Sequence, residues 1–181
     1  MVISAPSGAG KTTIAKAMLQ KFPSLSFSVS ATTRGRRDGE VGGKDYLFLS
    51  QEEFQKRVLN GDFVELEEIY GNWYGTLKSE IARAAAEGRQ LLFDVDVKGG
   101  ISIQRHYPHA LMIFIRPPSV EVLVERLRNR RTEDEATVER RMQRVRMEME
   151  LGASFGHSVV NDDLADAIAQ VESLIASYLV E

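Results

Sequence analysis

Eight residues near the start of the chain, Ala5-Pro6-Ser7-Gly8-Ala9-Gly10-Lys11-Thr12, restrict its fold more than any other feature. They lie between a short β-rich run, Val2-Ile3-Ser4, and an amphipathic helical run carrying Ile14, Ala17, Met18 and Leu19. A strand before and a helix after are the context in which this spacing forms a phosphate-binding loop, or P-loop. Glycines let the backbone curl until successive N–H groups point at one anion, and the helix opening near Lys11 adds its positive end. In such a loop the lysine reaches the β- and γ-phosphates of a nucleotide, and the Thr12 hydroxyl can ligate Mg²⁺. A chance glycine-rich turn is the alternative, and the flanking strand and helix argue against it. Ala5 stands where the first glycine of the pattern usually is, a departure that costs something only if its φ must be positive.

The remaining chain alternates β-rich and helical runs and reads as α/β. Ser26 to Ser30 is a candidate strand, and Ala31 to Asp45 is polar, rich in Gly and Arg, and too charged for core. Tyr46 to Leu49 reads as a short strand, and Ser50 with Glu53 forms a capping box for a helix with Phe54 and Val58 on one face. Gly61 and Gly71 punctuate the next stretch, so 31–75 reads as an inserted subdomain of mixed α+β structure. Regular order then returns: a helix over Thr76 to Glu87 ended by Gly88, and buried strands over Leu91 to Val95 and Leu111 to Ile115. Ser119 caps a helix with Val122, Leu123 and Leu127. Thr132 and Glu135 make a second capping box for a helix with Val138, Met142, Val145 and Met149 inward, the methionines as core. Ser158 to Val160 is a last strand, and Leu164, Ile168, Val171, Ile175 and Tyr178 stripe a terminal helix.

Composition narrows the class. The 181 residues suit one domain, long enough to bury about 70% of the unfolded surface without staples. The absence of cysteine removes disulfides, thiolate catalysis and cysteine-ligated zinc together. The longest apolar runs fall far short of the roughly 20 residues that a membrane span needs. No basic, apolar leader precedes the P-loop. A net charge of −3 gives no global attraction to a nucleic-acid polymer. The expectation is a soluble, cytoplasmic protein with one core and no membrane partner.

A P-loop close to Met1, with an arginine-rich insertion after the second strand, already suggests a nucleoside monophosphate kinase. Ser28-Val29-Ser30-Ala31-Thr32-Thr33-Arg34, Gly43-Lys44-Asp45-Tyr46 and Gly71-Asn72-Trp73-Tyr74-Gly75-Thr76 together resemble guanylate kinases. So do Asp94-Val95-Asp96, Pro117-Pro118-Ser119 and Val159-Val160-Asn161-Asp162-Asp163, in the family's order and over nearly the whole chain. The resemblance implies a three-layer P-loop fold: a parallel five-stranded core sheet from 1–30 and 76–181, a GMP-binding subdomain at 31–75 and a helical lid within about 126–150. It implies transfer of the ATP γ-phosphoryl group to GMP or dGMP, with Mg²⁺ as cofactor.

Carried over by position, ATP falls to Ala5, Pro6, Ser7, Gly8, Ala9, Gly10, Lys11, Thr12, Thr13 and Asn161, with Thr12 and Asp94 as Mg²⁺ candidates. The GMP phosphate falls to Arg34, Arg37 and Tyr46, with Tyr74 beside them and Gly75 adjacent. Paired guanidiniums suit a phosphate dianion, and phenol hydroxyls complete its shell. Guanine falls to Glu65, with hydroxyls at Ser30 and Thr76 and with Asp96 nearby. One carboxylate can accept from N1–H and N2–H together, whereas O6 needs a donor. Taken alone, Glu65 is one acid in the run Glu65-Leu66-Glu67-Glu68, and only the resemblance selects it. Likewise Asp94 by itself could be a strand-end cap, and the Arg34-Gly35-Arg36-Arg37 run a solvated loop.

The lid arginines of the family fall on Arg130 and Arg141, with Arg126 a weaker match; with Lys11 and Arg37 they form the implied catalytic set. Arg128, Arg144 and Arg146 read instead as a solvated helix face with i,i+4 acidic partners. His106, His109 and His157 have no ligand spacing and read as surface or packing residues. Lys98 stands where the family usually has glutamine; it could pair with Asp94 or Asp96, or touch phosphate. The first strand is expected to be short or truncated. Two other readings are a guanylate-kinase-like module that binds phosphopeptides without catalysis, and a related P-loop kinase acting on a ribose phosphate. Retention of Lys11, Thr12, Arg130 and Arg141 opposes the first, and the guanine-reading set opposes the second.

Overall fold

A computed structural model of the chain describes residues 1–123 and 135–180, with side chains described outside 124–141. In chain order the strands are β1 (Val2–Ser4), β2 (Leu25–Phe27), β3 (Ala31–Thr32), β4 (Leu47–Phe48), β5 (Phe63–Ile69), β6 (Asn72–Leu77), β7 (Gln90–Asp94), β8 (Met112–Arg116) and β9 (His157–Val160). The helices are α1 (Lys11–Lys21), α2 (Gln51–Leu59), α3 (Lys78–Ala86), α4 (Val97–His106), α5 (Glu135–Gly152) and α6 (Leu164–Val180).

Five strands form a parallel sheet in the order β2-β7-β1-β8-β9. Their side chains alternate between two apolar clusters. Ile3, Leu92, Ile113 and Ile115 pack on Ile14 and Met18 of α1 and on Val171 and Ile175 of α6. Val2, Phe93, Met112 and Phe114 pack on Val97 and Ile103 of α4 and on Phe155. Burial on both faces is why these strands read as continuous apolar runs rather than alternating ones. The result is the expected three-layer α/β architecture, and no described helix is long and apolar enough to cross a membrane.

The other four strands form a mixed sheet, β4-β3-β6-β5, with a small core of its own. Phe54 of α2 is fully buried there and stacks on Phe63 with ring centroids 4.6 Å apart. The capping box of α2 forms: Ser50 Oγ accepts from the Glu53 N–H, and Glu53 accepts in return from the Ser50 N–H. The β5–β6 hairpin turns through Tyr70 and Gly71, at φ values of 52° and 78°. Positive φ at both central residues matches the twist of the paired strands.

The structure departs from the sequence reading at several elements. Ala31 and Thr32, within a segment that reads as too charged for core, are fully buried in β3. Thr76 lies within β6 instead of opening a helix, and α3 begins at Lys78. Helix α4 has no counterpart in the sequence reading, because Gly99 and Gly100 depress helix propensity by about 1 kcal/mol each. Both glycines are there for space: a Cβ on Gly99 would lie 2.8 Å from Glu65 Oε2, and one on Gly100 would lie 2.7 Å from the Phe155 ring. The Ser119 cap forms, its Oγ accepting from the Val122 N–H at 3.2 Å. Leu127, Val138 and the Thr132 capping box lie outside the described side chains. Tyr70 is the only non-glycine with positive φ among the described residues, so Ala5 carries no such strain.

Candidate active site

Because β1 is central and α1 comes directly after it, the P-loop opens at the carboxyl end of the sheet, where α/β folds bind ligands. The loop is pinned from behind. Asn161, just past β9, is buried and donates from Nδ2 to the Ala9 carbonyl at 2.8 Å. Gly10, at φ 91°, packs so closely on that amide that a Cβ would collide with it. At the start of α1, Lys11 Nζ donates to the Val95 carbonyl at 2.8 Å and pairs with Asp94 Oδ1 at 2.7 Å. Thr12 Oγ1 donates to Asp94 Oδ2 at 3.2 Å. Burial alone would lower the Lys11 pKa. The Asp94 carboxylate, with Tyr46 and Asp96 behind it, outweighs that and raises it above the ordinary lysine value.

The P-loop forms one wall of a cleft of about 440 Å³, and the small sheet forms the other. Ser7, Gly8, Lys11, Thr12 and Thr13 line one side; Ser30, Arg37, Tyr46, Tyr74 and Gly75 line the opposite one. Between them sit two carboxylates. Glu65 is buried in β5, and its Oε1 accepts from Thr76 Oγ1 on β6 at 2.7 Å. Asp96 caps α4, its Oδ1 accepting from the Gly99 N–H at 2.9 Å. Burial, helped by the charges of Asp96 and Glu67 against the Thr76 hydrogen bonds, pushes the Glu65 carboxyl up to about 7.

Of the two arginines expected at the acceptor phosphate, Glu40 holds the guanidinium of Arg34 and only the backbone of Arg37. Arg34 Nη2 and Nη1 donate to the two oxygens of Glu40 at 2.7 and 3.1 Å, and the Arg37 N–H donates to the same carboxylate at 2.8 Å. Arg34 also lies over the Tyr46 ring at 5.4 Å, and Tyr46 meets Tyr74 edge-on at 6.0 Å. Arg37 is exposed at the rim. Arg130 and Arg126 lie outside the described residues, and the Arg141 side chain does too. All three histidines are exposed, as expected.

Two readings need correction. Lys98 pairs with neither Asp94 nor Asp96; its Nζ reaches Glu67 Oε1 of β5 at 2.9 Å, because α4 packs against that strand. Arg144 is not on a solvated face: it lines the cleft, donating to Asp96 Oδ2 at 2.7 Å and to Glu148 Oε1 at 2.8 Å. Glu148, also in the cleft wall and buried, is a residue that the sequence does not single out. The one local signal, the i,i+4 spacing of Arg144 and Glu148, is the same one that marks a solvated helix face. Arg146 is exposed, in line with its reading.

A family model described as guanylate kinase matches residues 1–178. A guanylate kinase of Chlorobium luteolum is 46% identical over 180 residues, 99% of this chain and 91% of that protein. One from Chlorobium chlorochromatii is 47% identical over 99% of this chain and 95% of its own length. The crystal structure of guanylate kinase from Anaplasma phagocytophilum superposes with a TM-score of 0.78 at 29% identity, covering 97% of this chain and 83% of that one.

Proposed function

The chain belongs to the guanylate kinase family, and on that premise we propose that it phosphorylates GMP with ATP through the residues of this cleft. The observation that carries the reading is one cavity lined both by Lys11 of a P-loop and by Glu65, a buried carboxylate held by a hydroxyl. The first is suited to a triphosphate and the second to the N–H donors of guanine. The same reading covers dGMP, which presents the same base edge and phosphate, and it places the enzyme in the cytoplasm with its substrates.

In this mechanism the P-loop from Ala5 to Thr13 wraps the ATP phosphates with its N–H groups. Lys11 exchanges Asp94 for phosphate oxygens. Arg34, Arg37, Tyr46 and Tyr74 hold the GMP phosphate, while Glu65, oriented by the Thr76 hydroxyl, reads the base with Ser30 and Asp96. An oxygen of the GMP phosphate attacks the γ-phosphorus in line, the bond to the β–γ bridging oxygen breaks, and ADP leaves. No general base is required, because the attacking oxygen is already ionised. Arg130 and Arg141, from a lid within about 126–150, would stabilise charge on the moving group and exclude water. Labour divides accordingly, with 1–30 and 76–181 as core and 31–75 as the acceptor subdomain.

Mg²⁺ fits this cleft. Mg²⁺ at nucleotide sites takes one or two protein oxygens beside phosphates and water, and the Thr12 hydroxyl and Asp94 carboxylate supply hard oxygens side by side. When bound, the ion would neutralise charge on the β- and γ-phosphates.

Product analysis tests the reading. Incubation with ATP, Mg²⁺ and GMP should yield ADP and GDP in equal amounts, with little ADP when GMP is omitted. ADP without GDP, or no turnover by a protein that binds phosphopeptide, would contradict it.

A further inference from the structure

The geometry points to Arg144 as a positioning residue that sets guanine specificity by holding Asp96 as a second acceptor beside Glu65. The inference rests on the guanylate reading and adds to it a residue outside the family's set.

Both oxygens of Asp96 are engaged. Oδ1 accepts from the first turn of α4, at Gly99, and Oδ2 accepts from Arg144 Nη2 at 2.7 Å. These two bonds, from different elements, fix the plane of the carboxylate. The guanidinium is itself oriented: its Nε donates to the buried Glu148 one helical turn on, and the Tyr70 ring lies 5.9 Å from its carbon. Only 15% of the Arg144 side chain is exposed, and it is the cation paired with Asp96 among the described residues.

The held carboxylate lies beside Glu65. A Cβ on Gly99 would meet Glu65 Oε2 at 2.8 Å and Asp96 Oδ1 at 2.9 Å, so the two carboxylates flank the same backbone point. Guanine presents three donors on this edge, N1–H and the two hydrogens of N2. One carboxylate takes N1–H and one N2–H; the other N2–H requires a second acceptor, and Asp96 is the adjacent one. Hypoxanthine keeps N1–H and O6 but lacks the 2-amino group. Discrimination between GMP and IMP therefore measures how well Asp96 is held.

The test compares steady-state kinetics for GMP, IMP and AMP in wild type, Arg144→Ala and Arg144→Lys, with thermal melts alongside. Arg144→Ala should raise KM for GMP at least about tenfold, the scale of one hydrogen bond to a charged group, with kcat within about threefold. KM for IMP should change little, so the GMP-to-IMP ratio of kcat/KM falls about tenfold. Arg144→Lys should recover part of the loss, since it keeps the charge without the fork. Because Arg144→Ala leaves Glu148 buried without its cation, the double variant Arg144→Gln with Glu148→Gln provides a version without that orphan charge, and it should lose discrimination equally. An unchanged ratio, or equal loss for GMP and IMP, overturns the role of Arg144. A wild type that fails to prefer GMP over AMP overturns instead the guanylate reading beneath it.

Discussion

Lys11 Nζ lies 2.7 Å from Asp94 Oδ1, so the lysine that would serve ATP is held by the strand end beside it. Entry of the triphosphate replaces one anionic partner with another, at little cost in charge. Removing the lysine takes away the phosphate contact but none of the groups assigned to GMP. Lys11→Ala should lower kcat at least about a hundredfold while GMP affinity by calorimetry stays within about threefold. A variant that keeps more than a tenth of wild-type kcat contradicts the P-loop assignment.

The pH dependence of acceptor binding should expose Glu65. Its carboxyl is pushed up to about 7 by burial, so the free protein holds a proton there at acid pH. Guanine needs the ionised acceptor, and the proton must leave on binding. GMP affinity should therefore fall up to about tenfold per pH unit below about 7 and level off above it. Glu65→Gln serves as the reference, because the phosphate of GMP titrates alike against both proteins. Calorimetry that gives parallel pH profiles for the two would count against this role.

The same group should affect stability with a definite sign. Its folded pKa of about 7 exceeds the ordinary 4.5, so the folded state binds the proton more tightly than the unfolded chain does. That contribution is complete below about pH 4.5 and is lost as pH rises through about 7. By about pH 8 wild type has lost on the order of 2–3 kcal/mol that Glu65→Gln never gained or lost. Denaturant melts should show the variant gaining on wild type between about pH 5 and pH 8; a constant difference would contradict the shift.

Arg37, exposed at the rim, and Arg34, held by Glu40, are useful to a phosphate only when gathered around it. The 31–75 subdomain should therefore move inward over the P-loop on binding both substrates. Small-angle scattering with GMP and a non-hydrolysable ATP analogue should show a smaller radius of gyration, and an unchanged profile would oppose closure.

Much of this is legible in the chain. The P-loop and the two-sided burial of Leu91 to Phe93 are written locally, in glycine spacing and continuous apolar runs. Glu65 is not: nothing in Glu65-Leu66-Glu67-Glu68 marks the residue that faces Thr76, and only the β5–β6 register buries Glu65 while Leu66 and Glu68 stay exposed. Helix α4 is hidden because its glycines answer to tertiary crowding from Glu65 and Phe155, against local propensity. Arg144 reads wrongly because its spacing to Glu148 is local while its partner Asp96 lies 48 positions away. Lys98 goes astray for the same reason, its partner Glu67 lying across on β5.

We expect the buried carboxylate of Glu65 to make the acceptor site guanine-specific. Adenine carries a bare N1 where guanine carries N1–H, so an ionised Glu65 would face a lone pair. A buried site built for one hydrogen-bond pattern rejects the wrong partner by about 10⁴–10⁵, and partial solvation reduces this to at least about 10³. The most direct measurement is kcat/KM for GMP and AMP in a coupled ADP-release assay, in wild type and Glu65→Gln. Wild type should prefer GMP by at least about 10³, and the variant should show a narrower gap through weaker use of GMP. AMP used within tenfold of GMP by wild type, or unchanged discrimination in Glu65→Gln, would contradict it.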